Sequence, residues 1–187
     1  MLENKEILIN ELNNCKEIMI NATLPTWEEL PKIELYMDQV VALLNDYLGY
    51  ISKLDKAEKG VTSSMINNYV KMKVIPAPLK KRYSRIHLSR LIMICALKKS
   101  LNLSTVSNLL PQTEDEDENK AIYNAFVNSR KTTIEANLQR IESEFYSIID
   151  NADSVNSEML TRLAVSTDIR KLITEKFTDV VFPQDEK

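Results

Sequence analysis

Residues 62–99 read Thr62-Ser-Ser-Met-Ile-Asn-Asn-Tyr-Val-Lys-Met-Lys-Val-Ile-Pro-Ala-Pro-Leu-Lys-Lys-Arg-Tyr-Ser-Arg-Ile-His-Leu-Ser-Arg-Leu-Ile-Met-Ile-Cys-Ala-Leu-Lys-Lys99. The stretch opens on a helix cap: Thr62 or Ser63 can satisfy a free backbone donor of a first turn. The pattern then splits into two faces. Met65, Ile66, Tyr69 and Val70 are apolar, and Ser64, Asn67, Asn68 and Lys71 fall on the opposite side at helical spacing. Pro76 and Pro78 push their predecessors into extended shapes and end that helix. Lys80-Lys81-Arg82-Tyr83 follows as a short extended basic segment, the expected rim of a small two-stranded wing. Ser84 can cap a second helix whose middle, Leu88 to Leu97, is apolar on nearly all sides. Such a helix belongs in a core.

The charge around this stretch is as informative as its periodicity. No Asp or Glu occurs between Glu58 and Glu114, although the chain holds 27 of them, and residues 59–113 carry ten Lys and Arg. Residues 1–58 are net −6, residues 59–113 net +10 and residues 114–187 net −7, which together give the formal −3. A basic block on a helix, a turn and a second helix is the electrostatic footprint of a phosphate-binding surface. An Asn-bearing helix edge suits the major groove, because Asn can pair two-pronged with adenine while Ser and Lys reach phosphates or base edges. Ser63, Ser64, Asn67, Asn68 and Lys71 are therefore the candidate groove-facing residues. Lys73, Lys80, Lys81, Arg82, Tyr83 and Arg85 are the candidate backbone contacts. Arg85 and Arg90 are both expected near the exposed start of the second helix.

Outward from this centre the chain reads as mainly all-α. Residues 1–24 form a packing helix with Leu8, Leu12, Cys15 and Met19 on one face. Residues 25–111 form the helix-turn-helix unit. Within it, Thr26 with Glu29 makes a capping-box pattern cut short by Pro31, and Trp27 anchors the segment. Residues 34–55 read as one long helix with Gly49 as its weak point, and Lys56 to Gly60 as a loop. Ser104 is the expected cap of a short helix ending at Leu110. Residues 112–187 form a helical dimerisation or effector segment. Glu114 to Glu118 is either a solvated hinge or the favoured acidic start of a helix. Val127, Ile134, Ile141 and Ile148 recur every seven, with Leu138 and Phe145 between, over a helix from 119 to 150. That pattern fits a subunit interface or an antiparallel pair within one chain. Asn151 to Asn156 reads as a turn, and Ser166-Thr167-Asp168 as a break between two final helices.

The same residues exclude much. Two glycines cannot build a glycine-rich phosphate loop. Cys15 and Cys95 with a lone His87 cannot close a zinc site and read as buried free thiols. No metal, cofactor or catalytic residue is expected: no paired carboxylates and no nucleophile with its base stand out. With no apolar run of ~18 residues, no signal sequence or membrane span is expected, and a cytoplasmic location follows. A small-molecule effector stays unassigned.

Two family resemblances sit on these residues. Met65-Ile-Asn-Asn-Tyr-Val-Lys-Met-Lys-Val-Ile-Pro76, then Lys81-Arg-Tyr83 and the apolar helix ending Leu97-Lys-Lys99, resembles the winged helix-turn-helix of MerR-type regulators. There a recognition helix ending in Tyr is followed by a Gly-Leu-x-Pro turn and an Arg-Tyr wing; here Met72-Lys73 replaces the glycine. Trp27, Leu30-Pro31, Leu35-Tyr-Met-Asp-Gln39, Met65 to Lys71 and Lys81-Arg-Tyr83 are similar to a bacterial family, domain of unknown function 1836, over about residues 25–110. The second resemblance implies a regulator and supplies no catalytic residues; with the residue reading above, the expected function is a dimeric regulator of transcription that binds double-stranded DNA. The alternative is a helical adaptor whose basic block meets an acidic protein partner.

Overall fold

The computed structural model describes residues 2–110, 113–151 and 157–183. Its helices are α1 (Leu2–Asn21), α2 (Met37–Tyr47), α3 (Gly49–Leu54), α4 (Ser63–Lys71), α5 (Arg85–Leu97), α6 (Leu103–Leu109), α7 (Glu116–Asn151) and α8 (Ser157–Val181), with a 3-10 turn at Trp27–Glu29. The centre is α5. Every residue from His87 to Cys95 is buried, as an apolar circumference requires, and α2, α6 and α7 pack around it. Burial pushes the Cys95 thiol up to about 11, so it is inert as a nucleophile. Cys15 is only half-buried, and both cysteines are free. Among the described residues no helix is long and apolar enough to cross a membrane.

Local signals place the smaller pieces. Glu29 Oε2 accepts from the Thr26 backbone N–H (2.7 Å) and hydroxyl (2.9 Å), closing the turn that seats Trp27. Trp27 meets Tyr123 of α7 edge-on at 6.3 Å, and the Tyr123 hydroxyl donates to the Pro25 carbonyl at 2.8 Å. At the other end, Asn45 accepts from the Val61 N–H (2.8 Å) and donates to the Val61 carbonyl (2.9 Å). This side-chain clamp holds the chain entering α4. It lies so close to Gly60 that any Cβ there would collide with Asn45 Oδ1, and Gly60 sits at φ +77°. Glycine is the residue that fits both conditions.

Several expectations need correction. The helix predicted over 34–55 begins at Met37 and breaks at Leu48 (φ −104°, ψ 8°), one residue before Gly49. Its start is delayed because Leu35 pairs with Tyr83, exchanging N–H to carbonyl bonds of 2.9 and 2.8 Å. The two-stranded wing is not present: no strand occurs among the described residues. The Leu35–Tyr83 and Leu79–Arg82 contacts are isolated bridges. Prolines at 76 and 78 lack the donors a ladder needs, and residues 79–82 fold into a turn instead of extending. Asn102, not Ser104, caps α6, accepting from the Thr105 N–H at 2.8 Å. Ser166-Thr167-Asp168 does not interrupt α8; the Thr167 hydroxyl donates to the Leu163 carbonyl one turn back at 2.9 Å and stays in the helix. The turn expected over Asn151 to Asn156 lies, beyond Asn151, outside the described residues.

The acidic run starts α7. Asp115 Oδ1 accepts from the Glu118 N–H at 2.8 Å, and the carboxylates that follow occupy the first turn. Further along α7 the residues between the seven-residue steps turn inward. Leu138 and Phe145 are buried, and Phe145 packs with Leu8, Ile9 and Leu12 of α1 and Leu163 of α8.

Candidate nucleic-acid interface

Thr62 caps α4, its hydroxyl oxygen accepting from the Met65 N–H at 3.3 Å. Ile66 and Tyr69 anchor the helix in the core. Burial raises the Tyr69 phenol to about 12. The other face is open: Ser63, Ser64, Asn67, Asn68 and Lys71 are all exposed. Asn68 makes one weak contact, from Nδ2 to Met72 Sδ at 3.4 Å.

The helix ends in a Schellman turn. The Lys73 N–H donates to Val70 and the Val74 N–H to Tyr69, with Lys73 left-handed at φ 57°. Glycine usually occupies that position. Farther on, the Arg82 N–H donates to the Leu79 carbonyl at 2.9 Å. The two residues between them, Lys80 (φ 49°) and Lys81 (φ 63°), are also left-handed. Positive φ at both central residues marks a type I′ turn, a place for Asn-Gly. A left-handed non-glycine residue costs about 1–2 kcal/mol. Three exposed lysines thus occupy backbone positions that suit glycine or asparagine.

The turn is tied to the body beside α4. Arg82 lies over the Tyr36 ring at 5.3 Å and donates to its hydroxyl at 3.2 Å. Ser63 and Lys81 line one groove together with Tyr36, Met37, Asp38 and Val41. Sequence reasoning missed Tyr36. Its signal was Gln39 three residues later, whose Oε1 accepts from the Tyr36 N–H at 2.9 Å and starts α2. Asp38 brings a carboxylate to this groove, which the sequence window of 59–113 hid.

Two candidate contacts are withdrawn. Tyr83 is 3% exposed and meets His87 edge-on at 5.5 Å. Its bridge to Leu35 turns it inward. Arg85 lies over Trp27 at 5.4 Å and pairs with Glu116 at 3.7 Å. Arg90 is not near an exposed start at all: it is buried, donating from Nε to Asn119 Oδ1 at 3.2 Å and from its terminal nitrogen to the Thr113 carbonyl. Lys98 and Lys99 pair with Glu58 and Asp55. Acids from outside the window therefore neutralise its far end. Lys71, Lys73, Lys80, Lys81 and Arg82 are exposed and lie in no ion pair among the described residues.

Residues 25–127 match the family described as Domain of unknown function (DUF1836). The chain belongs to the DUF1836 family. The DUF1836 stretch takes in the 3-10 turn, α2 to α6 and the first turns of α7, so the open face of α4, the lysine turn and the Arg90 network all lie inside it. No curated protein and no solved structure matches the chain. Within the described residues of this DUF1836 protein, no group of three His, Cys, Asp or Glu side chains is placed to hold a metal.

His87, the sole histidine of the chain, supports the turn from below. Its Nδ1 accepts from the Ser84 N–H at 3.1 Å, and its buried Nε2 has no hydrogen-bond partner. Burial first, and the Arg90 charge second, hold its pKa below the usual value. The Ala77 and Pro76 backbone favours the charged ring more weakly. A lowered folded-state pKa means that the unfolded chain binds the proton more readily. The contribution of His87 to stability is then complete above about pH 6.5 and is lost as pH falls toward the folded value. The urea midpoint should drop between pH 7.5 and 5.5. His87→Gln, which keeps an acceptor for Ser84, should flatten that drop; an unchanged pH profile in the variant would refute the assignment.

Proposed function

We propose that the chain is a DNA-binding regulator of transcription. The Ser63, Ser64, Asn67, Asn68 and Lys71 edge of α4 reads the major groove. Lys73, Lys80, Lys81 and Arg82 grip the sugar-phosphate backbone. The supporting observation is the trio of left-handed lysines, Lys73, Lys80 and Lys81, flanking an exposed amide-bearing helix. Strained backbone persists where it serves a purpose, and the side chain retained at each strained position is a cation. The order of parts is similar to that of MerR-type regulators without their wing, a turn standing in for it.

The test is selection of genomic fragments by the purified chain, with affinities measured at 50 and 200 mM salt. Four cations on phosphates give log K a slope of about −3.6 in log salt, a loss on the order of 150-fold over that interval. A salt-indifferent curve, or no enriched fragment, overturns the reading. A second reading draws on Leu79, 71% exposed at the start of the basic turn: an acidic protein partner would cover apolar and cationic groups together. Lys81→Glu with Arg82→Glu separates the two. Loss of the DNA shift with a captured protein still bound favours the regulator, and the reverse favours the adaptor.

A further inference from the structure

α8 meets the rest of the chain through Leu163, which packs on Phe145, and through polar groups. Thr178 is buried, Glu175 Oε1 accepts from Asn102 Nδ2 at 2.9 Å, and Arg170 donates to Asn137 Oδ1 at 2.7 Å. On the other side Val165, Ile169, Leu172, Ile173, Phe177 and Val180 are 48–68% exposed. At 100° per residue these six fall within about 140° of arc. An amphipathic helix ordinarily buries that face, and an exposed apolar patch of this kind, here with Lys176 inside its arc, marks an interaction surface.

We propose that this face docks a second copy of the chain, the two α8 helices packing antiparallel about a two-fold axis at Leu172–Ile173. A two-fold interface must be complementary to itself, and the stripe is. Val165 and Val180 stand equally far from the Leu172–Ile173 midpoint, with Ile169 and Phe177 nearly so. Asp168 and Lys176 stand four residues either side of Leu172. Both are exposed and in no ion pair among the described residues, so antiparallel packing brings Asp168 of each copy to Lys176 of the other. The area is adequate: the six side chains leave roughly 600 Å² of apolar surface per copy, or about 1,200 Å² for the pair, the lower bound of stable specific interfaces. On α7, Phe145 is already covered by α1 and α8. The inference does not rest on the DNA reading.

Sedimentation of the purified chain at tens of micromolar should give a dimer; a monomer throughout, including one that captures some other protein, overturns the proposal. Leu172→Glu with Phe177→Glu should give a monomer with an unchanged helical circular-dichroism spectrum, and a persistent dimer overturns the location. Orientation has its own readout, independent of that variant's folding. In a Cys15→Ser background under mild oxidation, Leu172→Cys should cross-link to its mate and Val165→Cys should not. The two Val165 positions lie about 22 Å apart along an antiparallel pair. Equal cross-linking at both overturns the antiparallel arrangement.

Discussion

Replacing Lys80-Lys81 by Asn-Gly should stabilise the protein and loosen its hold on duplex DNA. Both residues are left-handed, and Asn-Gly is the pair such a turn favours. Relief of the two unfavourable backbones, partly offset by the larger entropy of glycine in the unfolded chain, should raise stability by about 1 kcal/mol. The same change removes two cations from the proposed phosphate contacts. Affinity should fall on the order of 30- to 100-fold near 0.1 M salt, and the salt slope should flatten by about 2. Urea denaturation and fluorescence anisotropy on one preparation check both signs. A variant that gains stability and binds DNA as before would remove the turn from the interface. A variant that loses stability would remove the strain argument.

The second large effect concerns the buried join between α5 and α7. Arg90 donates to Asn119 Oδ1 and to the Thr113 carbonyl, while Asn119 Nδ2 donates to the carbonyls of Thr113 (2.9 Å) and Asp115 (2.7 Å). Asn119 is fully buried. Asn119→Leu leaves the guanidinium charge in place with one acceptor gone and strips two bonds from the start of α7. It should destabilise by about 3–5 kcal/mol. Arg90→Met removes the charge with the bond and fills similar volume, so its loss should stay near 1–2 kcal/mol. Equilibrium denaturation of the two variants tests the order. Arg90→Met proving the worse of the two would mean that the ion stabilises this site more than its desolvation costs.

Periodicity carried the parts of the fold whose fate is local. The apolar circumference of α5, the two faces of α4, the Thr26–Glu29 box and the long α7 all follow from spacing within one segment. The failures have a common cause. The helix expected from residue 34 starts late because Leu35 is taken by Tyr83, and the loop end at Gly60 is fixed by Asn45. Basic residues were the hardest to place, since a cation's position depends on partners far along the chain. Glu116 claims Arg85, and Asn119 with Thr113 claims Arg90. Lys98 and Lys99 find Glu58 and Asp55 across some 40 residues, with the Lys99–Asp55 separation at 44. The lysine turn was legible as charge and illegible as conformation, because nothing in Lys-Lys announces a left-handed backbone.

One helix ties these regions together mechanically. α7 runs 36 residues without a glycine or proline, a rod about 54 Å long. Its first turns are pinned at Asn119, and its far half carries Phe145, which α1 and α8 grip. With no proline or glycine kink between them, the grip on Phe145 and the pin at Asn119 bear on one continuous helix, so the seating of either is a constraint on the same element.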